Sequence, residues 1–436
     1  MNLSADNLLH DELPASEIQT QSSLLVERWA ALSPVELREN DYVELVRHME
    51  LYRDLYGFVT HHRSQADSHT KDALAEIESK LFPFITLSRT WTSTEKLFGS
   101  FKRNTRGIVL TTGAGHFEFA YLAIRSLRRS VNTTLPIEVF YTDSGTEKDA
   151  VYRAMLGEFE DLQIMNLDDY FDLDKAQISG FAFKPFTLLA TSFSEAILID
   201  ADILFFQDPA RAFDIADYKA TGTYYFRDRT IFNPNNPTDR KLKELFPNPS
   251  QYLKTNSRIL NRLSDHEVDS GIVIFNKGRA FHELLLICLL NTRKYRGPLW
   301  GTFWGDKELF WLAFEMLGTP YRFEKYGGGV AGYVRDDGAI CGNLFHLDDR
   351  NQPLWMNGGP VNDRHDPVGK TRTLKITHWA ADLVSSETKF HWSGSGEPFC
   401  LFQKNARSMR LSGEFRRATE INLHLWKRQQ DDKLFA

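Results

Sequence analysis

The sequence predicts an α/β fold, a mostly parallel sheet preceded by a helical region. From Arg106 onward, short apolar runs alternate with segments of helix length: Gly107-Ile108-Val109-Leu110-Thr111-Thr112, Glu118 to Ser130, Pro136-Ile137-Glu138-Val139-Phe140-Tyr141, Glu147 to Glu158, and Leu162-Gln163-Ile164-Met165. Strands separated in this way pair in parallel and bind ligands outside their carboxyl ends. Upstream, from about Ser16 to Lys80, apolar residues recur at spacings of three and four, as amphipathic helices require. Between these signals and the C-terminus, the run Ala196-Ile197-Leu198-Ile199-Asp200-Ala201-Asp202-Ile203-Leu204-Phe205-Phe206 sets two carboxylates inside an otherwise apolar strand. Residues 1–104 are therefore read as a helical stem or packing region and residues 105–436 as one α/β domain.

In the helical region the periodic residues are Leu24, Leu25, Trp29 and Leu32, then Tyr42, Leu45, Val46, Met49, Tyr52 and Leu55. Ser33-Pro34-Val35-Glu36 reads as an N-cap with Pro at the first helical position, and a further helix is expected from Ser68 to Leu81, before Pro83. His61, His62 and His69 are not in a ligand spacing and are read as solvated. In the α/β part, Gly113-Ala114-Gly115 reads as a strand-to-helix turn; it lacks the full dinucleotide fingerprint. Thr142-Asp143-Ser144-Gly145 closes the second strand, and Phe183 to Ala190 begins a helix leading to the acidic strand. Gly327-Gly328-Gly329 is expected as a turn, and the chain after Ser385 as loop and then a closing helix over Glu414 to Lys427.

Composition limits the partners. The 52 basic against 58 acidic residues leave a net charge of −6, which argues against nucleic acid, whose binding needs a concentrated basic face. An anionic ligand must instead be held locally. With three cysteines, neither a disulfide scaffold nor a thiolate zinc site is expected. Cys288 lies in an apolar segment and reads as core, while Cys341 and Cys400 are left as a pair that either bonds or stays free. The sequons Asn2-Leu3-Ser4 and Asn132-Thr133-Thr134 are compatible with a lumenal or secreted setting. Neither a membrane span nor a signal-peptide core is readable, so any membrane attachment is expected through an anchor outside this sequence.

Two carboxylates are costly to bury as bare charges. Asp200 and Asp202, two apart on a strand, are expected to face the same way. A hard Mg²⁺ or Mn²⁺ suits such a pair, because it takes oxygen ligands and completes its shell with substrate phosphates and water. Lys184, at the start of the preceding helix, is placed to share a phosphate with helix N-terminal amides. Thr111, Thr112, Gly113 and Asp143 follow the first two strands and are the polar candidates at the crevice.

Several blocks in this order resemble the fungal α-1,3-mannosyltransferases, a family of Golgi type II membrane enzymes. They include Gly107-Ile108-Val109-Leu110-Thr111, Lys184-Pro185-Phe186, Asp200-Ala201-Asp202 and Gly222-Thr223-Tyr224-Tyr225-Phe226-Arg227-Asp228. Val268-Asp269-Ser270-Gly271, Gly305-Asp306-Lys307-Glu308, Phe345-His346-Leu347-Asp348 and Trp355-Met356-Asn357-Gly358 continue the series to about Gly359. The resemblance implies a GT-A (Rossmann-like nucleotide-diphospho-sugar transferase) fold, GDP-mannose as donor, and Mn²⁺ as metal with Mg²⁺ as the alternative. It also implies transfer to a mannose-containing glycan acceptor with α configuration retained, in the Golgi lumen. One departure is Asp269, where the family pattern leads one to expect glutamate.

On that reading Asp200, Asp202 and His346 hold the metal, with His378 as a second choice for the histidine. Thr111, Thr112, Gly113, Asp143, Lys184 and Asp200 bind the nucleotide sugar. Retaining transfer needs an oxygen on the face opposite the leaving group. Asp306 is the candidate, although its place before an apolar helix also suits an N-cap, and Asp269 is expected to orient sugar hydroxyls. The rival readings are a retaining transferase using a UDP-sugar, a glycoside hydrolase needing no metal, and a non-catalytic glycan-binding protein.

Overall fold

The computed structural model describes residues 14–113, 115–142, 155–157, 159–382, 389–392, 396–402, 407–432 and 434. Three long helices open the chain: α1 (Ala15–Leu32), α2 (Tyr42–His61) and α3 (Ser68–Leu81). The expected cap at Ser33 is instead the end of α1, its N–H donating to the Trp29 carbonyl at 2.7 Å. The next helix starts nine residues on, because Asp41 supplies the cap: its carboxylate accepts the Glu44 N–H at 3.0 Å. Asp67 does the same for α3 through Thr70 N–H, at 2.8 Å. Each such cap satisfies an orphan donor and is worth about 1 kcal/mol.

The apolar stripes of these helices face the α/β part. Tyr52 of α2 packs edge-on against Phe82 at 4.9 Å and against His282 at 5.7 Å. Phe84 meets Phe186 edge-on at 5.2 Å. The helical region is thus a packing layer over helices Phe183–Ala190 and Phe281–Leu290, in one buried apolar cluster with them.

The first sheet has strands β1 (Lys102–Thr112), β2 (Ile137–Tyr141), β3 (Leu162–Asn166), β4 (Phe193–Asp200), β6 (Thr223–Arg227) and β7 (Val268–Asn276). Their spatial order is β3-β2-β1-β4-β7-β6. β1 to β4 are parallel, whereas β7 runs antiparallel to both β4 and β6. The strand period of two is visible in burial. Val109, Leu198 and Val273 turn to the helical layer, and Ile108, Leu110, Ile197, Ile199 and Ile272 to the opposite core. Near-continuous apolar strands are what a sheet covered on both faces demands. The helix expected over Glu147 to Glu158 falls mainly outside the described residues.

The second sheet is antiparallel. Its strands β8 (Gly327–Val334), β9 (Ile340–Leu347), β11 (His378–Asp382), β12 (Lys389–Trp392), β13 (Phe399–Phe402) and β14 (Arg407–Arg410) lie in the order β12-β13-β9-β8-β11-β14. A short strand, β10 (Pro353–Asn357), pairs with β9 and with β5 (Ile203–Phe205). Gly327-Gly328-Gly329 begins β8 and is not a turn. The neighbouring strands come so close that a methyl group on Gly328 would collide with Leu344, and one on Gly329 with the Ala380 carbonyl. The region after Ser385 likewise contributes strands, because β13 and β14 find partners earlier in the chain, in β9 and β11, before the closing helix Gly413–Asp431. Cys341 and Cys400 face each other across β9 and β13 and form a disulfide, while Cys288 is free and buried.

Candidate active site

Asp200 is the last residue of β4, and the register sets it opposite Thr111 of β1. Because β7 runs the other way, its first residues, Asp269 and Ser270, arrive at the rim where β1 and β4 end. The chain then turns at Ala201-Asp202 and leaves the first sheet, since β5 pairs with β10 of the second. The two carboxylates therefore do not share one strand face as expected. They straddle the junction of two sheets, and each has found its own cation.

Lys184 lies inside the first turn of helix Phe183–Ala190, which continues directly from a tight turn at Gly180–Ala182. Its ammonium is buried, 2.7 Å from Asp200 Oδ1, 3.1 Å from Ser270 Oγ and 3.8 Å from Asp306 Oδ2. Burial by itself would lower this lysine's pKa, but Asp200, Asp306 and Asp269 outweigh it and hold the group above its ordinary value. Lys184 is a fixed cation tying two carboxylates together. Asp306 takes part as a side chain: only its backbone carbonyl serves the following helix, accepting Leu309 N–H at 3.0 Å, while Ser270 Oγ donates to Oδ2 at 3.4 Å. The N-cap alternative for its carboxylate is not what the geometry shows.

Asp202 is buried, its backbone carbonyl accepts Gly359 N–H at 2.8 Å, and its carboxylate is met by the Arg364 guanidinium. Arg364 also donates to Asn357 Oδ1 at 3.1 Å, and Asn357 Nδ2 reaches both oxygens of Asp269 at 3.3 Å. Asp269 accepts Gly271 N–H at 2.8 Å and lies 3.5 Å from His346 Nε2. His346 Nδ1 is 2.8 Å from Glu324, and the ring stacks on Trp355 at 4.2 Å. Burial opposes charge on His346, yet Glu324 and Asp269 on its two sides push its pKa up to about 9. A polar line thus runs Asp202–Arg364–Asn357–Asp269–His346–Glu324.

Beside it, Lys307 pairs with Asp228, whose carboxyl is drawn well below the usual range by Lys307 and His266 against the opposing effect of burial. Glu308 anchors this segment. It accepts Glu267 N–H at 2.9 Å and Trp311 Nε1–H at 2.5 Å, and burial raises its pKa to about 7.

The structure brings together Lys184, Asp200 and Asp306, with Asp202 and Asp269 on the adjoining line. Thr111 and Thr112 stand at the end of β1, Thr111 Oγ1 lying 3.0 Å from Thr187 Oγ1 and Thr112 turning back towards Gly113. His346 is joined to Glu324 and Asp269, not to the acidic pair. His378 pairs with Thr377 at 3.0 Å. Asp143 lies outside the described residues. Among the described residues no three His, Cys, Asp or Glu converge as a metal cage. Two carboxylates at the junction do suit a hard divalent cation that completes its shell with phosphate and water, provided Arg364 yields its place on Asp202.

Sequence reasoning missed Arg364, Ser270, Asn357, Glu324 and the Asp228–Lys307 pair. Ser270, Asn357, Asp228 and Lys307 lie within blocks that carried the family resemblance, so a signal existed. Arg364 and Glu324 stand in no motif, and only the fold brings them in.

A doubly wound sheet with an acidic junction at its carboxyl rim and a second antiparallel sheet closing one side is the GT-A architecture of nucleotide-sugar transferases. Residues 105–348 match the family described as "Mannosyltransferase putative", and the chain belongs to that family. It is 30% identical to the Candida albicans protein named "Putative alpha-1,3-mannosyltransferase MNN1", over 64% of this chain and 42% of that one. It is 26% identical to the Saccharomyces cerevisiae alpha-1,3-mannosyltransferase MNT3, over 74% of this chain and 55% of that one. The chain spans about half the length of the curated relatives it matches. Among solved structures, core-mannan synthase A from Aspergillus fumigatus superposes with a TM-score of 0.30 at 12% identity, over 49% of this chain and 70% of that one.

Proposed function

We propose that this chain is a metal-dependent retaining transferase that moves mannose from GDP-mannose to a mannose-containing glycan in α linkage, most simply α-1,3. The observation that carries the reading is the Lys184–Asp200–Asp306 cluster at the carboxyl rim of the sheet, beside Asp202. The relatives' names support the sugar and linkage. Asp200 and Asp202 are the residues to hold Mn²⁺ or Mg²⁺, which when bound supplies Lewis-acid neutralisation of the departing diphosphate.

The protein's own groups do the rest. Lys184 sits between Asp200 and Asp306 and cancels part of their charge in a buried site. Asp306 presents an oxygen to the sugar's anomeric carbon from the side opposite the leaving group, which is what retention asks of it. Asp269, fixed from three sides by Gly271 N–H, Asn357 and His346, orients sugar hydroxyls. Thr111, Thr112 and Gly113, at the end of the first strand, are assigned to the nucleotide side. The Cys341–Cys400 disulfide suits an oxidising compartment, in keeping with a Golgi lumenal setting. Among the described residues no helix is long and apolar enough to cross a membrane, so attachment there would use an anchor outside the described part.

The test is a panel of GDP- and UDP-sugars with Mn²⁺ and α-mannosyl acceptors, scored by nucleotide release and by linkage of the product. Chelator-sensitive release from GDP-mannose with an α-linked product is expected. A UDP-sugar as the only working donor, or transfer that persists in excess chelator, would overturn the proposal.

A further inference from the structure

We infer that Trp304 and His266 form a platform that holds a pyranose ring of the acceptor glycan at the mouth of the site; this deepens the transferase reading and rests on it. Trp304 is 67% exposed, the most exposed of the large apolar side chains among the described residues. It sits at φ 58°, ψ 56°, the left-handed position that ends helix Arg293–Phe303. That position normally falls to glycine or asparagine, because a Cβ is unfavourable there. Gly305, at φ 95°, follows it, and the two left-handed residues turn the chain so that Asp306 is delivered to Lys184. The indole therefore stands within two residues, at most about 7 Å of chain, of the proposed catalytic carboxylate.

A single exposed apolar side chain needs no explanation by itself. What sets this one apart is its neighbour. The His266 ring meets the indole edge-on, centroids 5.8 Å apart, and is more than nine-tenths buried, yet its Nδ1 has no hydrogen-bond partner among the described residues. Burial and the adjacent Lys307 keep this ring neutral, with a pKa near 4. A buried polar atom left unpaired is costly and calls for a partner from outside. Arg229, next to Asp228, likewise has an unpartnered Nε, its guanidinium lying over the Phe399 ring at 4.3 Å.

An exposed aromatic face with unpaired polar atoms beside it is complementary to a neutral sugar. The C–H face of a pyranose lies against the negative face of the indole, while its hydroxyl edge reaches the imidazole and guanidinium. The cations that suit a diphosphate, Lys184 and Arg364, are tied to the acidic junction instead. The platform is thus assigned to the acceptor and not to the donor.

The test uses the full chain with α-linked mannotriose as probe and four variants: Trp304→Gly, which suits the left-handed backbone, Trp304→Phe, His266→Gln, and Leu24→Ala as an exposed apolar control on α1. Titration of mannotriose into the wild-type chain should change tryptophan emission, and Trp304→Phe should remove most of that change. Acceptor KM should rise at least tenfold in Trp304→Gly and severalfold in His266→Gln, fall back towards wild type in Trp304→Phe, and stay within twofold in Leu24→Ala. The dissociation constant for GDP should move by less than twofold in Trp304→Gly. An acceptor KM within twofold of wild type in both Trp304→Gly and His266→Gln would overturn the assignment. If no donor supports transfer but mannotriose still alters wild-type emission through Trp304, the platform stands while the transferase reading falls; absence of both signals removes the platform too.

Discussion

Raising the pH should loosen the clamp that holds Asp269. His346 is buried between Glu324 and Asp269, and its pKa is lifted from 6.5 to about 9. Because the folded chain keeps this proton longer than the unfolded chain, the pair's stabilisation is complete below about pH 6.5 and disappears as pH rises through about 9. The rise from 6.5 to about 9 corresponds to about 3.5 kcal/mol when fully expressed at low pH. The assay is urea unfolding of the wild type and His346→Gln at half-unit steps from pH 6 to 10. The difference in unfolding free energy between them should be largest at pH 6 to 6.5 and shrink by about 3 kcal/mol towards pH 9.5. A difference that stays constant over this range would refute the charged clamp. So would an imidazole carbon resonance of His346 that titrates near pH 6.5 in the folded chain.

Three further outcomes follow from the site and the second sheet. Asp202→Asn should cut nucleotide release at least a hundredfold, while unfolding shifts by only about 1–2 kcal/mol because its partner Arg364 is partly exposed; steady-state rates and denaturation curves of one preparation decide this, and full activity would remove Asp202 from the site. Asp306→Asn should lose turnover and still bind GDP by calorimetry, since the proposed role is at the sugar; unchanged turnover would exclude it. Reducing Cys341–Cys400, which are 59 residues apart in sequence, should cost up to about 4 kcal/mol by the loop-entropy estimate, read as a lower urea midpoint with and without reductant.

How much of this was legible in the sequence differs by element. The parallel strands and the helix over Ser68–Leu81 were readable because period and length are local properties. The Ser33 cap was misread, since Ser-Pro-x-Glu also fits a helix end, and only the hydrogen bond from Ser33 to Trp29 distinguishes the two. The three glycines of β8 and the strands after Ser385 were missed because their cause is non-local: strands distant in the chain crowd the glycine backbone. At the site, Lys184 and Asp200 were found together, as sixteen residues of helix and strand connect them. Arg364 and Glu324 were not, because an ion pair between residues far apart in sequence leaves no spacing to read.

Asp200 belongs to the first sheet, and Asp202 is tied through Gly359 to the end of β10 in the second. The gap between the two carboxylates is therefore a gauge of how the sheets are seated on each other. On the proposed reading, packing changes along β9 and β10 should detune metal affinity by opening or closing that gap. Grafting the acidic triplet into another parallel sheet, without the strand that receives Ile203, would copy the letters and lose the spacing.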